Sequence, residues 1–242
     1  MADLETPRTR VPGKLLVVLA AMLAAIAVGI WPTWRDARRV RELVAQLGDD
    51  DEDVRDEAAK ELGSFGKTAR PALAALVDAL RDREPQVRVS AAAAIARISD
   101  KSPGTVSALA ATLDDSDGHV RSAAAIALSK IGPDARDAVP ALERRLNDPD
   151  PYARFFAAEA LWQVERRAEK VLPALVAVLR SQHMEARLDA ARTLGKIGPA
   201  ARVAIPALVE AMYDQDLELS RAAEDAIKEI DMVTALELEL FH

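Results

Sequence analysis

Residues 109–124 read LAATLDDSDGHVRSAA, and residues 142–157, one step of 33 later, read LERRLNDPDPYARFFA. Two leucines four apart, an acidic turn, a small or branched apolar residue, an arginine and an alanine return in the same order. Outward from this pair the step holds in both directions. Leu43, Leu76, Leu109, Leu142, Leu175 and Leu208 form one column, and Leu47, Leu80, Leu113, Leu146, Leu179 and Met212 a second. Val54, Val87, Val120, Ala153, Ala186 and Leu219 form a third, and Ala58, Ala91, Ala124, Ala157, Ala190 and Ala223 never vary. Six units follow one another without an insertion. Self-similarity at such a period marks an array of stacked supersecondary units.

Each unit reads as two helices. The leucine pair, at i and i+4, makes one apolar stripe on the first helix. The acidic turn ends that helix and caps the next, as at Asp115-Ser116-Asp117 and Asp148-Pro149-Asp150, where carboxylates can accept from unpaired backbone N–H groups. Val54, Ala58, Leu62 and Phe65 give the second helix a single apolar face. Gly66, Gly132 and Gly198 stop it, the last two with Pro133 and Pro199 directly after. No unit can bury its stripes alone, so neighbours must stack into a continuous core.

The composition agrees. Half of the 242 residues are hydrophobic, 29% are charged and only 4% aromatic, a balance that favours helices over sheets. A formal charge of −7 argues against nucleic acid, which needs a concentrated positive surface. The absence of cysteine rules out disulfides, thiolate metal sites and a thiol nucleophile.

Residues 1–34 are a different kind of sequence. Leu15 to Trp31 is uncharged throughout, LLVVLAAMLAAIAVGIW, with Arg8, Arg10 and Lys14 before it and Trp34 and Arg35 after. As a helix it spans about 25 Å, the short end of what crosses a bilayer. It reads as a single-pass membrane anchor over 15–34, behind a polar tail at 1–14. The repeats, over 35–231, are then expected outside the cytoplasm. Ala25-Ile26-Ala27 is also a possible signal-cleavage site, which would make the mature chain secreted. Residues 232–242 read as a cap, with Leu236, Leu240 and Phe241 covering the end of the last unit.

Pro140, Asp148 and Arg154 stand in the order that HEAT units carry them, as do Pro206 and Asp214 without the arginine, and Val120-Arg121 follows Asp115 by five to six residues. On these residues the chain resembles the HEAT-repeat family, in the short form of the phycobilisome-lyase-like group, over about residues 35–235. The resemblance implies an all-α, right-handed α-solenoid of about six 33-residue helix pairs, with second helices lining the concave side. It also implies a structural Asp–Arg ladder between units, made here of Asp49, Arg55, Asp82, Arg88, Asp115, Arg121, Asp148, Arg154 and Arg187. Ser181 and Ser220 depart from the ladder, so the last two units are expected to be less firmly joined.

The outward positions of the second helix are the candidate site. In the fourth unit they hold Tyr152, Phe155, Phe156, Glu159 and Trp162, four of the seven aromatics after residue 34. Neighbouring units add His119 and Ile126 on one side and Leu188 and Arg192 on the other. An exposed aromatic patch in a groove has the character of a recognition hot spot, and the partner expected is a protein or peptide segment. Sideways packing of Phe156 and Trp162 between units is the alternative.

Catalytic constellations are missing from the sequence. His119, His183 and His242 share no metal-ligand spacing, and no phosphate loop, nucleophile elbow or triad is present. Asp115 to Gly118 opens like a calcium loop, but Ile126 stands where the closing glutamate belongs. The expectation is a membrane-anchored binding scaffold with no cofactor, metal or enzymatic activity. The resemblance keeps a lyase-like or chaperone accessory subunit as the alternative.

Overall fold

The structure is a computed structural model that describes residues 30–239. Every regular element among them is helical. The first helices of the six units are α1 (Ile30–Gln46), α3 (Leu73–Ala79), α5 (Pro103–Thr112), α7 (Val139–Arg145), α9 (Ala168–Leu179) and α11 (Ile205–Met212). The second helices are α2 (Glu52–Ser64), α4 (Pro85–Ile98), α6 (Gly118–Ile131), α8 (Pro151–Glu165), α10 (Met184–Ile197) and α12 (Leu217–Ile230), and α13 (Met232–Glu239) closes the stack. Short 3-10 turns at Gly66–Ala72, Gly132–Ala138 and Gly198–Ala204 lead into α3, α7 and α11.

The helix boundaries follow from local chemistry. Asp51, Asp117, Asp150 and Asp216 each accept hydrogen bonds from the first free N–H groups of α2, α6, α8 and α12. Second helices end where the backbone turns left-handed, at Gly66, Gly132 and Gly198 with φ of 53°, 69° and 71°. Where the sequence lacks that glycine, Ser99 and Arg166 also take a positive φ, 54° and 58°, in the left-handed helical region, whereas Gly132 and Gly198 pair theirs with ψ of −137° and −144°.

The leucine column Leu43, Leu76, Leu109, Leu142, Leu175 and Leu208 is at most 1% exposed, and the invariant alanines are buried equally deeply. A buried leucine contributes roughly 1.5–3 kcal/mol, so this one column accounts for much of the cohesion between layers. Second helices pack closely on one another along the stack, apart from α8 and α10, while consecutive first helices barely touch. That imbalance makes the second-helix row the shorter, inner side of the curve.

The arginines form the ladder. Arg55 reaches Asp82 at 2.7 and 2.9 Å, Arg88 reaches Asp115 at 2.8 Å twice, and Arg121 reaches Asp148 at 2.8 and 2.7 Å. The remaining terminal nitrogen of each binds carbonyls of its own turn, for example Arg121 Nη1 to Asp115 at 3.0 Å and Ser116 at 3.1 Å. Asp49 begins the ladder with its main-chain carbonyl, which accepts from Arg55 at 2.9 Å.

The expectation about the last two units is corrected. Arg187 joins the fifth to the sixth through Asp214 at 2.7 Å, and α10 packs closely on α12. The gap lies one junction earlier. Arg154 finds Ser181 where Asp should be, and turns back to the Asp148 carbonyl at 2.9 and 2.6 Å. Ser220 bonds within its own unit, its hydroxyl donating to the Met212 carbonyl at 2.6 Å.

At the C-terminus α13 packs on α12 through Ala235, which is 5% exposed. Leu236, expected to be the cap, is 52% exposed, because it follows Ala235 onto the next face of the helix. Leu240 and Phe241 lie outside the described residues. So do residues 1–29, with most of the uncharged run and Ala25 to Ala27. The described part of α1, Ile30–Gln46, runs across residues 34 and 35, where the anchor was expected to end. No helix among the described residues is long and apolar enough to cross a membrane.

Candidate binding groove

The inner helices meet their neighbours through a register of small residues. A side chain added at Gly63 would lie 3.1 Å from Ala94 Cα on α4, and one added at Gly195 would lie 3.1 Å from Ala226 Cα on α12. Ala96 and Ser129 hold the same register on α4 and α6. On α8 that position is Trp162. An indole cannot fit a gap sized for glycine, and α8 and α10 accordingly pack far less closely than any other consecutive inner pair. The missing rung at Ser181 and the bulk at Trp162 therefore act on the same junction.

The side chains that fill this seam come mainly from α8. Tyr152, Phe155, Glu159 and Trp162 recur at helical spacing and share the face that the repeat register directs at α10. Tyr152 meets Phe156 edge-on at 4.7 Å, Phe156 meets Phe155 at 5.1 Å, and Tyr152 stacks on His183 at 5.1 Å. Such pairs each add about 0.5–1.5 kcal/mol beyond their burial. Arg166 lies over Trp162, its Cζ 5.4 Å from the ring.

One member of the expected patch is corrected. Phe155 is 3% exposed and belongs to the core, so it offers no surface to a partner. It faces the enclosed side of the seam, while Phe156 is rotated about 100° from it. Tyr152, Phe156, Glu159 and Trp162 are half-buried, packed on the core with one side open. Tyr152, Phe156 and Trp162 thus pack against the core, as the packing alternative expects, and stay partly accessible. Ile126 and Leu188 are half-buried on the flanking helices. His119 is exposed at the start of α6, and Arg192 is exposed on α10, where it pairs with Glu218 at 2.8 Å. Arg192 also lines a separate cleft of about 710 Å³ between α10 and α12, whose walls mix Lys196, Arg221, Asp225 and Glu229.

Three contributors were missed in the sequence. Asp189 and Lys196 of α10 act on Glu159 through their charge, and His183 stacks on Tyr152 as well as capping α10, with Nδ1 accepting from Ala186 N–H at 3.3 Å. The signal that could have found them was present: Ser181 and Trp162 are both departures from their columns and both point to one junction. Burial pushes the carboxyls of Glu159 and Asp189 up from their ordinary values, and it also raises the Tyr152 phenol, helped by Asp189 and Glu185. The junction thus combines half-buried aromatics with two partly buried carboxylates.

The HEAT repeats family matches residues 73–162 and, overlapping, 139–228. No curated protein matches. Among solved structures, an engineered protein is 26% identical with a TM-score of 0.59, covering 80% of this chain and 96% of its own. The CpcE and CpcF complex of phycocyanin lyase from Nostoc sp. is 25% identical with a TM-score of 0.52, covering 80% of this chain and 85% of that one. A designed armadillo repeat protein in complex with the peptide (KR)4 is 21% identical with a TM-score of 0.58, covering 78% and 98%, a likeness of fold.

Proposed function

Taking as premise that the chain belongs to the HEAT-repeat family, we propose that it is a scaffold and not an enzyme, holding a protein or peptide partner in its inner groove at the fourth and fifth units. The observation that carries this reading is the seam between α8 and α10, where half-buried aromatics line the one inner junction that the stack does not close. Aromatic anchors in a partly desolvated cleft are where binding energy concentrates. The uncharged run Leu15–Trp31 supports a membrane-held placement, and the short tail before it supports repeats outside the cytoplasm.

Co-purification from native membranes tests this, with the wild-type chain compared against a Tyr152→Ala/Trp162→Ala double variant. Loss of the partner from a variant that still melts cooperatively is the expected result. Retention of the same partner would refute the groove. The likeness to phycocyanin-lyase subunits supports a second reading, an accessory subunit that handles a chromophore or its acceptor. Visible absorbance carried by the purified protein would favour that reading, and a colourless preparation the scaffold.

A further inference from the structure

On the side of the first helices, two junctions carry the same cleft with different charges. Leu80, Arg88, Ala108 and Ala111 line one of about 340 Å³ between the second and third units. Leu146, Arg154, Ala174 and Ala177, each two periods on, line one of about 420 Å³ between the fourth and fifth. In the earlier cleft Asp82, Asp114 and Asp115 stand in the walls beside Arg88. The later one has no acidic residue in its walls among the described residues. Arg180 and Ser181 occupy the columns of Asp114 and Asp115, and Asp148, in the column of Asp82, is buried on Arg121. Arg154 is half-buried there. Its Nε and Nη2 both donate to the Asp148 carbonyl, which leaves Nη1 and the second Nη2 proton without an acceptor among the described residues. Asn147 lines the cleft as well, and its side chain makes no hydrogen bond among them.

We propose that this cleft receives an aspartate or glutamate side chain of a protein partner, whose carboxylate does for Arg154 what the next unit's aspartate does for Arg55, Arg88 and Arg121. Charge complementarity is the first argument, since a half-buried guanidinium with unused donors gains most from a carboxylate, which it can bind with two parallel hydrogen bonds. The amide of Asn147 adds a further donor to the same acceptor. The number of charges is the second. Lys170 also lines the cleft, but Glu143 and Glu165 already hold its ammonium, so Arg154 alone is uncompensated. One free positive charge matches a carboxylate better than a doubly charged phosphate. The walls are the third: Leu146, Pro173 and Ala177 offer apolar surface to the methylene stem of an acidic residue. The cleft lies beside α7 and α9, so it can be filled whether or not the inner groove is occupied.

The test uses a Ser181→Asp variant, which supplies the carboxylate from within the chain and should melt no lower than the wild type. Random displayed peptides are selected on the purified full chain in detergent micelles and counter-selected on that variant. The recovered peptides are expected to share one Asp or Glu. Replacing it by Asn or Gln should weaken binding to the wild type roughly tenfold or more, and Ser181→Asp should cause a similar loss. The two changes together should weaken binding little more than either alone, because both remove one contact. Peptides that prefer the wild type yet tolerate the amide would overturn the acidic occupant, and so would two losses that simply multiply. Failure to recover any peptide that distinguishes the two chains would overturn the cleft as a binding site.

Discussion

Arg121 and Asp148 form the most enclosed pair in the stack, with the aspartate side chain fully shielded and the arginine 10% exposed. Removing the carboxylate strands a buried guanidinium, so Asp148→Ala should cost about 3–5 kcal/mol in urea unfolding. Arg154 makes only main-chain contacts, and Arg154→Ala should cost less, about 1–2 kcal/mol. Acid acts on the same groups. At Asp82 the hydrogen bond from Arg55 holds the carboxyl below 3.8; at Asp148 burial pushes upward, but Arg121 and the Asp150 N–H outweigh it. A depressed carboxylate stabilises the fold above its ordinary value and loses that contribution as pH falls through the lowered one. Stability should therefore decline below about pH 4. Glu159 carries the opposite sign, because burial raises it and its ionised form strains the fold. Glu159→Gln should raise the denaturation midpoint at neutral pH and leave it unchanged at about pH 3, where the wild-type carboxyl is already protonated.

At the scale of elements, the helix pairs, their caps and the ladder were legible because each is a local pattern, the pairs recurring six times and the aspartate caps and Asp–Arg rungs four times each. The caps fall on Asp117 and Asp150 as the turn sequences suggest, and the rungs on the arginines that follow each apolar column. What was not legible is where consecutive residues of α8 point. Phe155 and Phe156 differ by one step of about 100°, and which of them the neighbours enclose depends on how far α10 has moved away. Asp189 and His183 are unremarkable in their own unit and acquire a role only across that gap. If the missing rung helps to open it, Ser181→Asp should let Arg154 bridge to α9 and slow amide exchange along α9 and α10. Unchanged exchange would leave the bulk of Trp162 as the sole cause.

For the whole molecule, nearest-neighbour stacking makes stability a sum over junctions, and a weak junction divides the stack. The α8–α10 junction lacks its Asp–Arg rung and close inner-helix contact, and it carries the aromatic and acidic groups that mark the groove. Under the proposed function, weak closure and recognition belong to the same place, as expected where a site must admit a partner. Native-state hydrogen exchange at increasing denaturant tests this most directly. The account predicts two cooperative blocks, residues 30–165 and 168–239, opening with different free energies and separated at the seam. Exchange of all six units as one block, or a boundary at any other junction, would contradict it.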